Sequence, residues 1–282
     1  MSPASLRRLR PLLGTFVEVQ VEAALCEDEL QAAVDAAFAR MSEIQERMSF
    51  HDPHSELSRI NRAQASVIHE IGADTWRVLA LARDIARRSD GLFDCTIGGE
   101  LVREGRLPDH GFAPFDPPDW RAVELLPGHR VRLRRSLALT LDGIAKGYAV
   151  DQAVATLRAL GVDNGLINAG GDLRVFGEQA LPIAVREADG SVREIGRWRD
   201  CAIASSATGL PEDEQSRFPS CIMRPGAARH PESAGPPSVW TVSAAQAWQA
   251  DALTKVAALA PHTRRASLIA RLGGTLPGAP AS

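Results

Sequence analysis

Near the start of the chain an alternation appears: Val17, Val19 and Val21 are apolar, and Glu18, Gln20 and Glu22 between them are polar. That rhythm belongs to a half-buried β-strand, whose successive side chains point to opposite faces. From residue 27 the period lengthens. Leu30, Ala33, Ala37, Met41, Ile44 and Met48 recur at helical spacing and predict an amphipathic helix over 27–48. SFHDPHSELSRIN then reads as a loop with turn and cap chemistry at Asp52, Pro53 and Ser55, followed by a short helix. Residues 74–88 predict another helix, with Asp74 as its N-cap. Residues 91–99 read as a glycine-punctuated loop, and residues 104–120, rich in Pro, Gly and Asp, as an exposed excursion. Val131 and Leu133, then Leu137, Leu139 and Leu141, alternate on either side of residues 134–136. They predict a hairpin that feeds a helix closed by Gly161.

Beyond that helix, GLINAGGDLRVFG reads as strand, glycine turn, strand, and short strands are expected over 182–186, 201–205 and 238–244. Ala250 to Ala260 reads as a helix. Residues 208–237 are poor in apolar side chains and carry six prolines, which predicts a long mobile loop. The tail over 273–282 is expected to be disordered, leaving one domain over 1–272. Strands and helices mix without a regular β-α-β rhythm, so the expected class is α+β.

Composition narrows the function classes. Of 282 residues, 45% are hydrophobic and 24% charged, as in an ordinary globular protein, and a formal charge of −3 provides no basic field for nucleic acid. The arginine-bearing start is followed by no apolar run of the secretory type, and no apolar stretch is long enough to span a bilayer. Cys26, Cys95, Cys201 and Cys221 are scattered, with no C-x-x-C pair, which points to reduced thiols and a cytoplasmic protein.

Four segments could carry chemistry. In DGIAKGYA, Gly143 and Gly147 flank Lys146 at the start of a helix. Each helical glycine costs roughly 0.5–1 kcal/mol against alanine, so close approach of something to this backbone would justify them, and Lys146 could meet an anion. Tight packing of the helix on a sheet, with Lys146 solvated, explains the segment equally well. NAGGD could turn its N–H groups to a phosphate or be a plain tight turn. In SDGLFDCTIGG, Phe93 could pack on a flat ring and Asp94 hydrogen-bond to it, or Phe93 could be core. In ADALTK, Asp251, Thr254 and Lys255 share a helix face; the carboxylate and hydroxyl oxygens of the first two suit Mg²⁺, and an Asp–Lys surface pair is the alternative. Zincin and serine-hydrolase motifs are absent from the sequence.

Taken in order, LLGTFVEV, SFHDPHSELSRIN, SDGLFDCTIG, LDGIAKGYAVD, GLINAGGDLRVFG and VSAAQAWQADALTK resemble the ApbE-type FAD:protein FMN transferases, from about Leu12 to about Ala260. The resemblance implies a T-fold-like α+β architecture with an FAD cleft. It also implies a Mg²⁺-dependent transfer of FMN from FAD to a Thr or Ser hydroxyl of a partner flavoprotein, with AMP leaving; some relatives hydrolyse FAD instead. By the same resemblance Leu92, Phe93 and Asp94 contact the flavin, as do His51, Thr140 and Ile222. Lys146 serves the dinucleotide and, with Asp251, catalysis. Gly143, Asp251 and Thr254 hold the metal.

The chain departs from the family pattern in four places. Cys221 stands where a histidine is expected and Arg224 where an aspartate is expected, within CIMRP. Lys255 replaces a hydroxyl residue that helps the metal. Thr140 replaces an acid, and Asp142 is placed to take over part of its role. An FAD-binding carrier or pyrophosphatase with weak transfer is therefore the alternative expectation.

Overall fold

The structure is a computed structural model that describes residues 4–112, 114–209, 222–226 and 237–277. Its frame is a seven-stranded antiparallel sheet. In order across the sheet the strands are β1 (Ala4–Leu12), β2 (Thr15–Ala23), β6 (Asn164–Ala169), β7 (Asp172–Phe176), β10 (Cys201–Thr208), β11 (Ser238–Ala244) and β12 (Gly274–Thr275). The valine alternation of β2 does what its period demands: Val17, Val19 and Val21 enter the core and the residues between them do not. Helices α1 (Glu27–Met48), α5 (Ala145–Ala159) and α6 (Ala247–Leu259) cover that face. The six apolar positions that predicted α1 are all buried.

Strand β7 is buried on both faces. Asp172, Arg174 and Phe176 point to the helices, while Leu173 and Val175 point away, into a second small core under the hairpin of β8 (Leu181–Arg186) and β9 (Val192–Trp198). A smaller sheet, β3 (Ile68–Glu70), β5 (Arg130–Leu133) and β4 (Val123–Leu126), packs with α3 (Ala73–Arg88). Two short helices, α2 (Glu56–Arg62) and α4 (Gly98–Arg103), and the C-terminal α7 (His262–Arg271) complete the fold.

Several expectations change. Helix α3 starts one residue early with Gly72 as its N-cap; Asp74 instead accepts from Arg40 at 2.6 Å and from the Tyr148 hydroxyl at 2.8 Å. The 91–99 loop ends in α4, because Gly98 packs on the Ala138 carbonyl and donates to it at 3.0 Å. The excursion over 104–120 folds back: Leu107 is buried, the His110 and Phe112 rings meet Phe50, and Phe115 meets Phe112. The β5 hairpin partner is β4, not 137–141. The expected tail start is ordered, since Gly274–Thr275 pairs with β11. Most of the loop over 208–237, and the tail beyond 277, lie outside the described residues.

Candidate active site

A cleft of about 590 Å³ opens between the loops beside α1, the start of α5 and the face of α6. Residues His51, Leu92, Phe93, Asp94, Thr140, Gly143, Lys146 and Ile222 all line it, so segments scattered over the chain meet at one place.

The walls are built from short-range cap chemistry. Ser55 caps α2 by accepting from Ser58 N at 3.0 Å, and the Ser58 hydroxyl donates to the Asp52 carbonyl at 2.7 Å. These bonds shape the loop that presents His51, while its neighbour Phe50 is fully buried. On the opposite wall Phe93 is buried. Asp94 accepts from Thr96 N at 2.8 Å, from the Thr96 hydroxyl at 2.7 Å and from Trp120 N at 3.2 Å. Three of the roughly four acceptor sites of a carboxylate are thus used within the chain. Burial raises the Asp94 carboxyl above the usual carboxylate value despite these donors.

Asn61 was not singled out in the sequence, yet it sets the floor. Its amide donates to the Leu139 carbonyl and accepts from the Leu139 N–H, both at 2.8 Å. Asn61 thereby pairs with Leu139 as a strand would, while Ala138 forms a parallel bridge with Ile97 and Thr140 donates its N–H to the Cys95 carbonyl at 2.8 Å.

Gly147 is explained by packing within the chain. A Cβ there would lie 2.6 Å from Trp248 N and closer still to the Ala247 carbonyl, so the glycine lets the start of α6 rest on α5. Gly143 does face the cleft, where a Cβ would come to 3.3 Å from the Phe93 ring and 3.4 Å from the Lys255 stem. The NAGGD turn is closed by Gly171 N donating to Asn168 Oδ1 at 3.0 Å, and its glycines do not line the cleft. What the motif supplies is Asp172.

Asp172 pairs with Lys146 at 2.9 Å, with side-chain exposures of 2% and 19%; the contact is an ion pair rather than an aligned hydrogen bond. Burial, reinforced by the charge of Asp251, raises the Asp172 carboxyl above its usual value. Burial also pulls the Lys146 ammonium down, but Asp172 and Asp251 outweigh it and hold the ammonium above the usual lysine value.

Asp251 is fully buried on α6. One oxygen is held by Lys255 Nζ and the other accepts from Gly147 N at 3.4 Å. Thr254 is also fully buried, and its hydroxyl bonds Ser206 Oγ at 2.8 Å and the Asp251 carbonyl at 2.7 Å. Neither side chain reaches the cleft wall; Lys255 does. As arranged, the Asp251 and Thr254 oxygens do not fit a divalent cation, because an ammonium and neighbouring hydroxyls already use them. Among the described residues no group of three or more His, Cys, Asp or Glu is arranged to hold a metal.

Helix α6 is positioned by Asp151 on α5, which accepts from Ala247 N and Trp248 N, both at 2.9 Å. Burial lifts its carboxyl to about 6 against the two N–H groups and Arg174. Raised in the folded state, this pKa makes ionised Asp151 a cost above about pH 6, relieved as pH falls towards the unfolded value of about 3.9. Asp151→Asn should remove that dependence. The stability of the unsubstituted protein relative to the variant should rise by about 2–3 kcal/mol between pH 7 and pH 4 in urea titrations. A gap independent of pH would rule this out.

The late segment is seen only from Ile222. Ile222, Met223 and Pro225 line the cleft. Arg224 is exposed and donates to the Leu259 carbonyl at 3.0 Å, and Gly226 N donates to Glu100 at 3.2 Å. Cys221 lies outside the described residues.

Among the described residues no helix is long and apolar enough to cross a membrane. A model of the ApbE family matches residues 13–277. Among curated relatives, the FAD:protein FMN transferase of Treponema pallidum is 25% identical over 230 residues, covering 71% of this chain and 63% of the relative. That of Rhodobacter capsulatus is 31% identical over 192 residues, covering 59% and 34%. That of Haemophilus influenzae is 29% identical over 155 residues, covering 50% and 45%. The chain thus matches less than two thirds of the length of each of these relatives. The crystal structure of the Pseudomonas stutzeri flavinyl transferase ApbE, apo form, superposes with a TM-score of 0.77 at 19% identity, over 97% of this chain and 92% of the other. The Thermotoga maritima ApbE protein superposes with a TM-score of 0.76 at 21% identity, over 96% and 93%. The chain belongs to the ApbE family.

Proposed function

We propose that this chain is a flavin transferase that moves FMN from FAD to a Thr or Ser hydroxyl of a partner flavoprotein and releases AMP. One observation carries the reading: five of the six segments that resemble the family, separated along the chain, contribute to the lining of one cleft, and the sixth supplies Asp172 to pair with Lys146 there. The names of the relatives support it. Phe93 and Leu92 offer apolar surface to an isoalloxazine ring, and Lys146 and Lys255 offer positive charge to the pyrophosphate. The acceptor oxygen would attack the FMN phosphorus as the bond to the AMP phosphate breaks. Asp142, exposed on the cleft wall, is the carboxylate available for the hydroxyl proton. The resemblance attaches Mg²⁺ to this reaction, but the Asp251 and Thr254 oxygens, held by Lys255 and by neighbouring hydroxyls, do not fit the ion. A cytoplasmic setting is part of the reading, supported by the free thiols of Cys26, Cys95 and Cys201.

The test mixes the protein with FAD, Mg²⁺ and a flavoprotein domain bearing an acceptor threonine, then looks for flavin fluorescence on a denaturing gel. A fluorescent band that disappears when the acceptor threonine is replaced by valine is the expected result. FMN and AMP release with no band would favour the second reading, an FAD-binding pyrophosphatase, which the internal pairing of Asp251 also supports.

A further inference from the structure

We infer that the Lys255 ammonium stands where a divalent cation would otherwise stand, so that this chain binds FAD without Mg²⁺. The inference rests on the FAD reading above.

The oxygens that would suit a hard cation are gathered here, but around nitrogen. Lys255 Nζ holds one Asp251 carboxylate oxygen and donates to Ser206 Oγ at 3.2 Å. The second Asp251 oxygen is engaged by Gly147 N, and Ser206 is in turn bonded to Thr254. A Mg²⁺ ion needs near-octahedral oxygen ligands at about 2.0–2.1 Å, so it could use Asp251 only by evicting the lysine. Eviction is opposed by packing: the lysine stem lies against the Gly143 backbone, and its side chain is only 14% exposed. An ammonium carries three donors. Asp251 and Ser206 take two, and the third is available to the cleft that Lys255 lines. Lys146, paired with Asp172, adds a second fixed positive charge to the same cavity. Two lysines held by buried carboxylates are a preorganised receptor for a pyrophosphate. Asp142 also lines the cleft and is the carboxylate a Mg²⁺ ion would have to use.

FAD fluorescence titration of the full chain, first in EDTA and then in excess Mg²⁺, decides the matter. The two dissociation constants should agree within about twofold. Lys255→Thr should bind FAD about tenfold or more weakly in EDTA and recover with Mg²⁺, because the freed Asp251 and the new hydroxyl can then take the ion. Lys255→Arg, which keeps the charge, should remain insensitive to Mg²⁺. The inference is overturned if Mg²⁺ tightens FAD binding to the unsubstituted protein about tenfold or more, or if Lys255→Thr binds in EDTA as the unsubstituted protein does. The titration of the unsubstituted protein decides even if a variant fails to fold. Absence of FAD binding under both conditions would instead overturn the FAD reading itself, and the inference with it.

Discussion

Replacing Gly147 by alanine is expected to destabilise the protein by about 3 kcal/mol, near the upper end of what overpacking costs. The new methyl would meet main chain, at Trp248 N and the Ala247 carbonyl, so no rotamer change can relieve it. The start of α6 must move away from α5. That movement lengthens the two bonds from Ala247 N and Trp248 N to Asp151, and it displaces Asp251 and Lys255 further along the same helix. Thermal denaturation should show a lower midpoint, and FAD affinity should fall in the fraction that remains folded. Gly143→Ala makes an informative pair. Its added Cβ meets the Phe93 ring edge and the flexible Lys255 stem at ordinary to tight distances, so stability should change little while the cleft narrows. Equal destabilisation by the two substitutions would refute the division of labour between the glycines.

Lys146→Met is expected to cost about 2–4 kcal/mol at pH 7, slightly less than a fully buried broken pair because the lysine is 19% exposed. The loss leaves Asp172 buried without its cation. A carboxylate in that position responds by holding its proton more tightly, so its folded-state pKa rises further above the unfolded value of about 3.9. The sign of the pH effect follows. The cost is fully present above the folded pKa and disappears as pH falls towards the unfolded value, so the variant should regain stability relative to the unsubstituted protein on acidification from pH 7 towards pH 4. Urea titrations of both proteins at several pH values measure it. A deficit that stays constant with pH would show that Asp172 is not the group left stranded. If the proposed flavin reading holds, FAD binding should weaken about tenfold or more at neutral pH, through loss of a positive charge from the cleft.

Much of the fold was legible where a period of two or of 3.6 ran long enough to be unambiguous. Strand β2 and helix α1 appear where the valine alternation and the long apolar stripe place them. The sequence 137–141 misled because alternation reports a strand-like backbone, not the identity of its partner. Its partners are the Asn61 side chain, 78 residues before Leu139, and the backbone around Ile97, which only the fold can reveal. Strand β1 and strand β9 were missed because their faces are largely exposed and carry little apolar contrast. At the site, His51, Phe93, Asp94 and Lys146 could be picked out because the segments that carry them, weak one by one, occur in an order and spacing that resemble one family. The partnership of Lys146 with Asp172 could not, since it joins two motifs through space. The reason for Gly147 was half visible: a close backbone approach was expected, and the body that approaches is the chain's own helix.

The antiparallel pairing of Val17 with Ala169 has a consequence for how the molecule comes into being. Strand β2 cannot find its second neighbour until β6 has been made, so the sheet closes through a contact between distant parts of the chain, the slow kind of closure. A growing chain that ends at β7 already owns Lys146 and Asp172, but α6, with Asp251 and Lys255, has yet to be synthesised. The cleft that Lys255 lines is therefore among the last features to mature. A ligand of the cleft can therefore stabilise the finished protein by mass action, but not the first half while it is being made.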